Sequence, residues 1–144
     1  EKALSLALAN LEARYGPVRA YVSGGSDEPQ GSELLFLSAG ERLTKGFIAS
    51  VREVISSAPF NYLALHVRDF RLRGRLVPSA KLLYDAFKGE PVMLKEIIVV
   101  HEEGEREPEG EFLRITHSYI LLYEKEGLDG KAKGRKGLGK RKLG

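Results

Sequence analysis

The chain has 144 residues, 42% hydrophobic and 30% charged, with a formal net charge of +3; that is the balance of one folded domain, not of a disordered polymer. It has no cysteine, which excludes disulfides, thiol catalysis and cysteine-ligated zinc or iron–sulfur sites, and no apolar run approaches the ~20 residues of a membrane helix. Seven basic residues and no acid follow Asp129, so the remainder holds 16 basic against 20 acidic side chains. The small net charge therefore hides a cationic tail on an acidic body. No signal segment is read at the start, and the expected location is the cytoplasm, in a nucleoid or ribonucleoprotein setting. The scarcity of amides, with many charges, predicts a thermophilic protein.

Residues 1–15 place Leu4, Leu8, Leu11 and Tyr15 at spacings of four, three and four, one stripe of an amphipathic helix that Gly16-Pro17 ends. Val18–Ser23 reads as a short strand, and Gly24–Ser32 as a loop by composition. Leu34–Ser38 is a buried strand. A helix follows over Glu41–Ser57, with Leu43, Phe47, Val51, Val54 and Ile55 inward and Arg42, Lys45, Arg52 and Glu53 outward. Tyr62–Phe70 alternates, which predicts a half-buried strand with Leu63, Leu65 and Val67 on the core side and Ala64, His66 and Arg68 on the other. After the basic stretch Arg71–Arg75, a second helix has Pro78 in its first turn and Leu76, Ala80, Leu83 and Phe87 as its stripe, with Gly89 suited to its C-terminal cap. Val92–Val100 and Phe112–Tyr123 read as strands joined by a long hairpin, whose tip carries Glu102, Glu103, Glu105, Glu107, Glu109 and Glu111 against Arg106. Gly130–Gly144 has no apolar period and is expected to be disordered.

From residue 34 the order is β-α-β-α-β-β. It predicts an α/β fold, an α+β two-layer sandwich with both helices on one face of the sheet, preceded by an additional N-terminal helix. The organisation is an N-terminal helix and loop over 1–33, a folded domain over 34–125 and a basic tail over 126–144.

Arg73-Gly74-Arg75 between the second strand and a helix containing Ser79 and Lys81, and the strand Arg114–Leu122, resemble the Alba family of archaeal and eukaryotic nucleic-acid-binding proteins, over roughly residues 34–125. The resemblance implies an Alba-like fold, a homodimer and binding to DNA or RNA without catalysis. Arg71, Arg73 and Arg75, with Arg42, Lys45 and Arg114, are the expected phosphate contacts, and Phe70 beside them is the aromatic kept for base stacking over Tyr62, Tyr119 and Tyr123. The tail residues Lys131, Lys133, Arg135, Lys136, Lys140, Arg141 and Lys142 add contacts without sequence preference. Six hairpin carboxylates would be repelled by a phosphate backbone, so RNA or single-stranded DNA is expected at least as much as duplex.

Other chemistry leaves fewer traces. His66, His101 and His117 have no metal-ligand spacing, and a hydrogen-bonded structural role is the default for two of them, mid-strand. Gly24-Gly25-Ser26-Asp27 lacks the lysine and helix of a phosphate loop. No metal, cofactor or catalytic residue is predicted. Two further readings stay open. One is a protein-interaction subunit of a ribonucleoprotein. The other is a small-molecule-binding or enzymatic α+β domain with His66, His117, Arg114 and Glu96 lining its pocket.

Overall fold

The computed structural model describes residues 2–20, 32–101 and 115–126. Helix α1 (Lys2–Tyr15) ends at Gly16, whose φ of 105° is a left-handed cap and whose N–H donates to the Glu12 carbonyl at 3.0 Å. Strands β1 (Val18–Ala20) and β2 (Ser32–Ser38) follow. Helix α2 (Lys45–Ser57) starts later than its apolar pattern suggests, because Thr44 caps it: the Thr44 hydroxyl accepts from the Phe47 N–H at 3.1 Å. Strand β3 (Phe60–Val67) leads into a separate hairpin of β4 (Phe70–Leu72) and β5 (Arg75–Val77). Helix α3 (Ser79–Ala86), β6 (Val92–His101) and β7 (His117–Lys125) complete the described chain.

The main sheet has the order β1-β2-β3-β7-β6. Its first three strands are parallel, and β7 is antiparallel to both β3 and β6. Helices α2 and α3 pack on one face over Leu35, Leu37, Leu63, Leu65, Val67 and Leu121, as the α/β reading requires. Helix α1 covers the other face, where Leu11 is fully buried against Leu34, Ala64, Ile120 and Leu122. Burying a leucine this completely stabilises by roughly 2 kcal/mol.

That second helical cover changes one expectation, and the bounds of α3 change two more. Strand β3 is not half-buried, since Ala64 on its supposed solvent side is 0% exposed beneath α1. Leu76 does not belong to the α3 stripe; it sits in β5 and is 52% exposed, while Leu83 and Phe87 carry the helix's core contacts. Nor does Gly89 cap α3, whose C-cap is Phe87.

Strand β6 changes face partway along. Its pairing with β7 shifts between Leu94, opposite Tyr123, and Glu96, opposite Leu122, so Lys95 is an extra residue in the ladder. Val92 and Leu94 therefore face α2 and α3, while Ile98 and Val100 face α1. The acidic hairpin tip, Arg114, the loop at 21–31 and the tail lie outside the described residues. Among the described residues, no helix is long and apolar enough to cross a membrane.

Candidate active site at the carboxyl ends of the parallel strands

In open α/β sheets, ligands bind outside the carboxyl ends of parallel strands, where helices and turns leave a crevice. Here those ends carry a polar relay. Ser38 is the last residue of β2, and parallel register sets it beside His66 near the end of β3. The His66 ring lies between two hydroxyls: its Nδ1 is 3.0 Å from Ser38 Oγ and its Nε2 is 2.9 Å from Ser118 Oγ on β7. Ser118 is fully buried and Ser38 exposed, so the relay runs from the interior to the surface.

Local backbone fixes its outer end. The Gly40 N–H donates to Ser38 Oγ at 3.2 Å, and the Ala39 N–H donates to the His66 carbonyl at 2.9 Å. Gly40 has φ of 76° and turns the chain towards α2. The Phe36 ring stacks against the imidazole with centroids 6.2 Å apart. A neutral imidazole donates from one nitrogen and accepts at the other. Between two hydroxyls it can take a proton on Nδ1 at the exposed serine while its Nε2–H donates a hydrogen bond to the buried serine, which is the geometry of a general base held by a third group.

The basic elements stand at this same end. Arg73 and Gly74 have φ of 54° and 79°, so residues 72–75 form the two-residue turn with both central residues left-handed that matches the twist of a hairpin. Arg73 and Arg75 are exposed on it, and Arg71 is half-buried beside Phe70. Arg42 places its guanidinium 5.3 Å from the centre of the Phe70 ring. The aromatic face expected to stack on a base thus already meets the protein's own cation. Lys45 is exposed at the start of α2. Asp69 accepts from the Ala80 N–H at 3.3 Å and caps α3. Buried Arg68 donates to the Ile115 carbonyl at 2.6 Å and ties the entry of β7 to the end of β3.

Of the residues foreseen for an enzymatic pocket, His66 is in the relay. His117 lies across from His101 at the rim, with ring centroids 5.0 Å apart. Glu96 is instead held by α1, accepting from Arg14 and Tyr15. Arg114 and the basic residues at 131–142 fall outside the described residues. Sequence reasoning passed over Ser38 and Ser118. Serines are common at strand ends, and only the register of three strands unites these two with His66. Among the described residues, no three His, Cys, Asp or Glu side chains group as a metal site.

The fold has a solved counterpart. A crystal structure of a proposed DNA modification methylase from Thermus thermophilus superposes with a TM-score of 0.50 at 20% identity, covering 78% of this chain and 55% of that one. A proposed methyltransferase from Thermoplasma acidophilum gives 0.45 at 15% identity, over 99% of this chain and 57% of that one. The chain spans little more than half the length of either. No family model and no curated protein matches the chain.

These findings overturn the Alba reading. The order β-α-β-α-β-β occurs here in a sheet extended by β1 and covered on its second face by α1, and the solved structure sharing this fold is described as a proposed methylase. The archaeal-like, DNA- or RNA-binding homodimer inferred from that family goes with it, as does the expectation of a protein without catalysis. The thermophilic signature rests on composition alone, and nothing among the described residues adds to it.

Proposed function

We propose that the chain is a small-molecule-binding enzymatic domain on a methyltransferase-type α/β fold, with its active site at the carboxyl ends of β2 and β3. The observation that carries this reading is the Ser38–His66–Ser118 relay, a hydrogen-bonded imidazole opening to the surface where such sheets bind ligands. Support for the reaction class comes from the Thermus thermophilus protein, described as a proposed DNA modification methylase. His66 would accept the proton that an attacking N–H or O–H group loses, with Ser118 holding the ring.

A methyl donor such as S-adenosylmethionine supplies the transferred group in that chemistry. The described residues do not form a cradle for its nucleoside. The turn after β2, Ala39-Gly40-Glu41-Arg42-Leu43-Thr44, is not glycine-rich, and the Asp69 carboxylate at this end caps α3 rather than facing a ribose. What these residues supply is the acceptor's side of the reaction. Nucleic acid, expected above as a partner, enters this proposal only as a polyanionic acceptor passing the exposed Arg73 and Arg75.

The test is transfer of labelled methyl from S-adenosylmethionine to DNA, RNA and small amines by the full chain, with His66→Ala and Arg73→Ala/Arg75→Ala beside it. Transfer that falls about 100-fold in His66→Ala supports the site. A rise in KM with kcat unchanged in the arginine pair supports the polyanionic acceptor. The absence of donor binding, together with no transfer to any of these acceptors, would remove the proposal.

A further inference from the structure

At the opposite end of the sheet, between the carboxyl end of α3 and strands β6 and β7, lies a cavity of about 330 Å³. It is separate from the Ser38–His66 relay: Tyr123 in its wall pairs with Leu63 near the start of β3, whereas His66 pairs with Ile120. Its size is at the lower end of the range for small-ligand sites.

Three rings line it. Phe87 and Tyr123 meet edge-on with centroids 6.3 Å apart, and Tyr84 stands 40% exposed at the mouth. Val92, Met93 and Leu94 supply the apolar remainder. The Lys88 ammonium at the rim lies 5.4 Å from the Tyr84 ring centre and 3.4 Å from an Asp85 oxygen.

One atom is out of place in an otherwise satisfied wall. Tyr123 is 2% exposed, and its buried hydroxyl has no hydrogen-bond partner among the described residues. Buried hydroxyls are normally paired, and leaving one unpaired costs the desolvation of a polar group. Burial first and the neighbouring Tyr84 second push its phenol up to about 12, so it stays a proton donor. A donor without an acceptor, beside a cavity walled by rings, is the complement of a flat molecule with an acceptor at its edge.

We propose that this cavity binds a small planar heteroaromatic ligand, its ring packed among Tyr84, Phe87 and Tyr123 and its ring nitrogen or carbonyl accepting from the Tyr123 hydroxyl. The inference is independent of the catalytic reading above, since it uses other residues at the other end of the sheet.

Quinoline and naphthalene test it, being alike in shape while only quinoline carries an acceptor. Each is titrated against the full chain, against Tyr123→Phe and against Tyr84→Ala, by ligand-observed NMR. Tyr123→Phe should weaken quinoline about fivefold and leave naphthalene unchanged. Tyr84→Ala should weaken both. The ligand-free Tyr123→Phe protein should melt no lower than the parent, because it loses only an unpaired hydroxyl. The proposal is overturned if neither ring binds at millimolar concentration, or if Tyr123→Phe treats the two rings alike. A lower melting temperature in ligand-free Tyr123→Phe would also overturn it, since the hydroxyl would then serve the fold.

Discussion

Arg14 and Glu96 lie 82 positions apart, and the two Nη atoms of the guanidinium donate to the two oxygens of the one carboxylate at 2.8 and 3.1 Å. The Tyr15 hydroxyl donates to the same carboxylate at 2.5 Å. The last turn of α1 is thereby clamped to β6 across the sheet face. The clamp depends on the extra residue at Lys95: without that shift in register, position 96 would point to the α2–α3 side.

Glu96→Gln keeps the shape and removes the charge. Both partners are partly solvated, with side chains 43% and 30% exposed, so the effect is screened and the melting temperature should fall about 3 °C at neutral pH. The Arg14 hydrogen bonds first, and the Tyr15 hydroxyl next, hold the Glu96 carboxyl below its ordinary 4.5. Its unfolded form keeps the ordinary value. The clamp therefore contributes fully above about pH 4.5, and its contribution is lost as pH falls through the lower folded value. Thermal melts across this range should show parent and variant converging in acid. A gap that stays constant into acid would mean that the charge of Glu96 is not its source.

Leu11→Ala tests whether α1 belongs to the core. Leu11 is fully buried between α1 and the sheet. Its truncation should cost about 3 kcal/mol in a denaturant titration, through lost transfer and a residual cavity. A cost below about 0.5 kcal/mol would mean that α1 is dispensable to the folded state.

The turn of the basic hairpin predicts two changes of opposite sign. Gly74 has φ of 79°, where a Cβ is strained, so Gly74→Ala should destabilise by about 1 kcal/mol. Arg73 carries φ of 54° with a long side chain, and Asn is the residue this position favours. Arg73→Asn should therefore stabilise by about 0.5 kcal/mol. Denaturation midpoints of the two variants check both signs.

Tyr123 sets the response to alkali. Its phenol is pushed up to about 12 by burial, against 10.0 for an ordinary tyrosine. The folded state resists ionisation while the unfolded chain ionises, so the contribution is complete below pH 10.0 and is lost as pH rises towards 12. Tyr15 shifts in the same direction, through its bond to Glu96 first and burial second. Melting temperature should fall between these pH values, and less steeply in Tyr123→Phe. Identical curves for parent and variant would exclude Tyr123 as the source.

The sequence alone determined what is local. The four-three-four spacing of Leu4, Leu8, Leu11 and Tyr15 is one face of a helix wherever that helix lies, and Val51, Val54 and Ile55 face the core as their period requires. The order β-α-β-α-β-β was legible too, apart from the short hairpin at 70–77. Arg73-Gly74 pointed to a turn, though not to the cation over Phe70. Sheet order, the face that α1 covers and the register of each pair are long-range choices made by packing, and one element order is compatible with more than one fold; the Alba likeness foundered there. Ser38, His66 and Ser118 became neighbours only when β2, β3 and β7 aligned, and Glu96 left its foreseen pocket because one extra residue in β6 turned it towards Arg14. Side-chain parity along a strand reverses with a single added residue, and residue spacing along the chain does not say where that residue is accommodated.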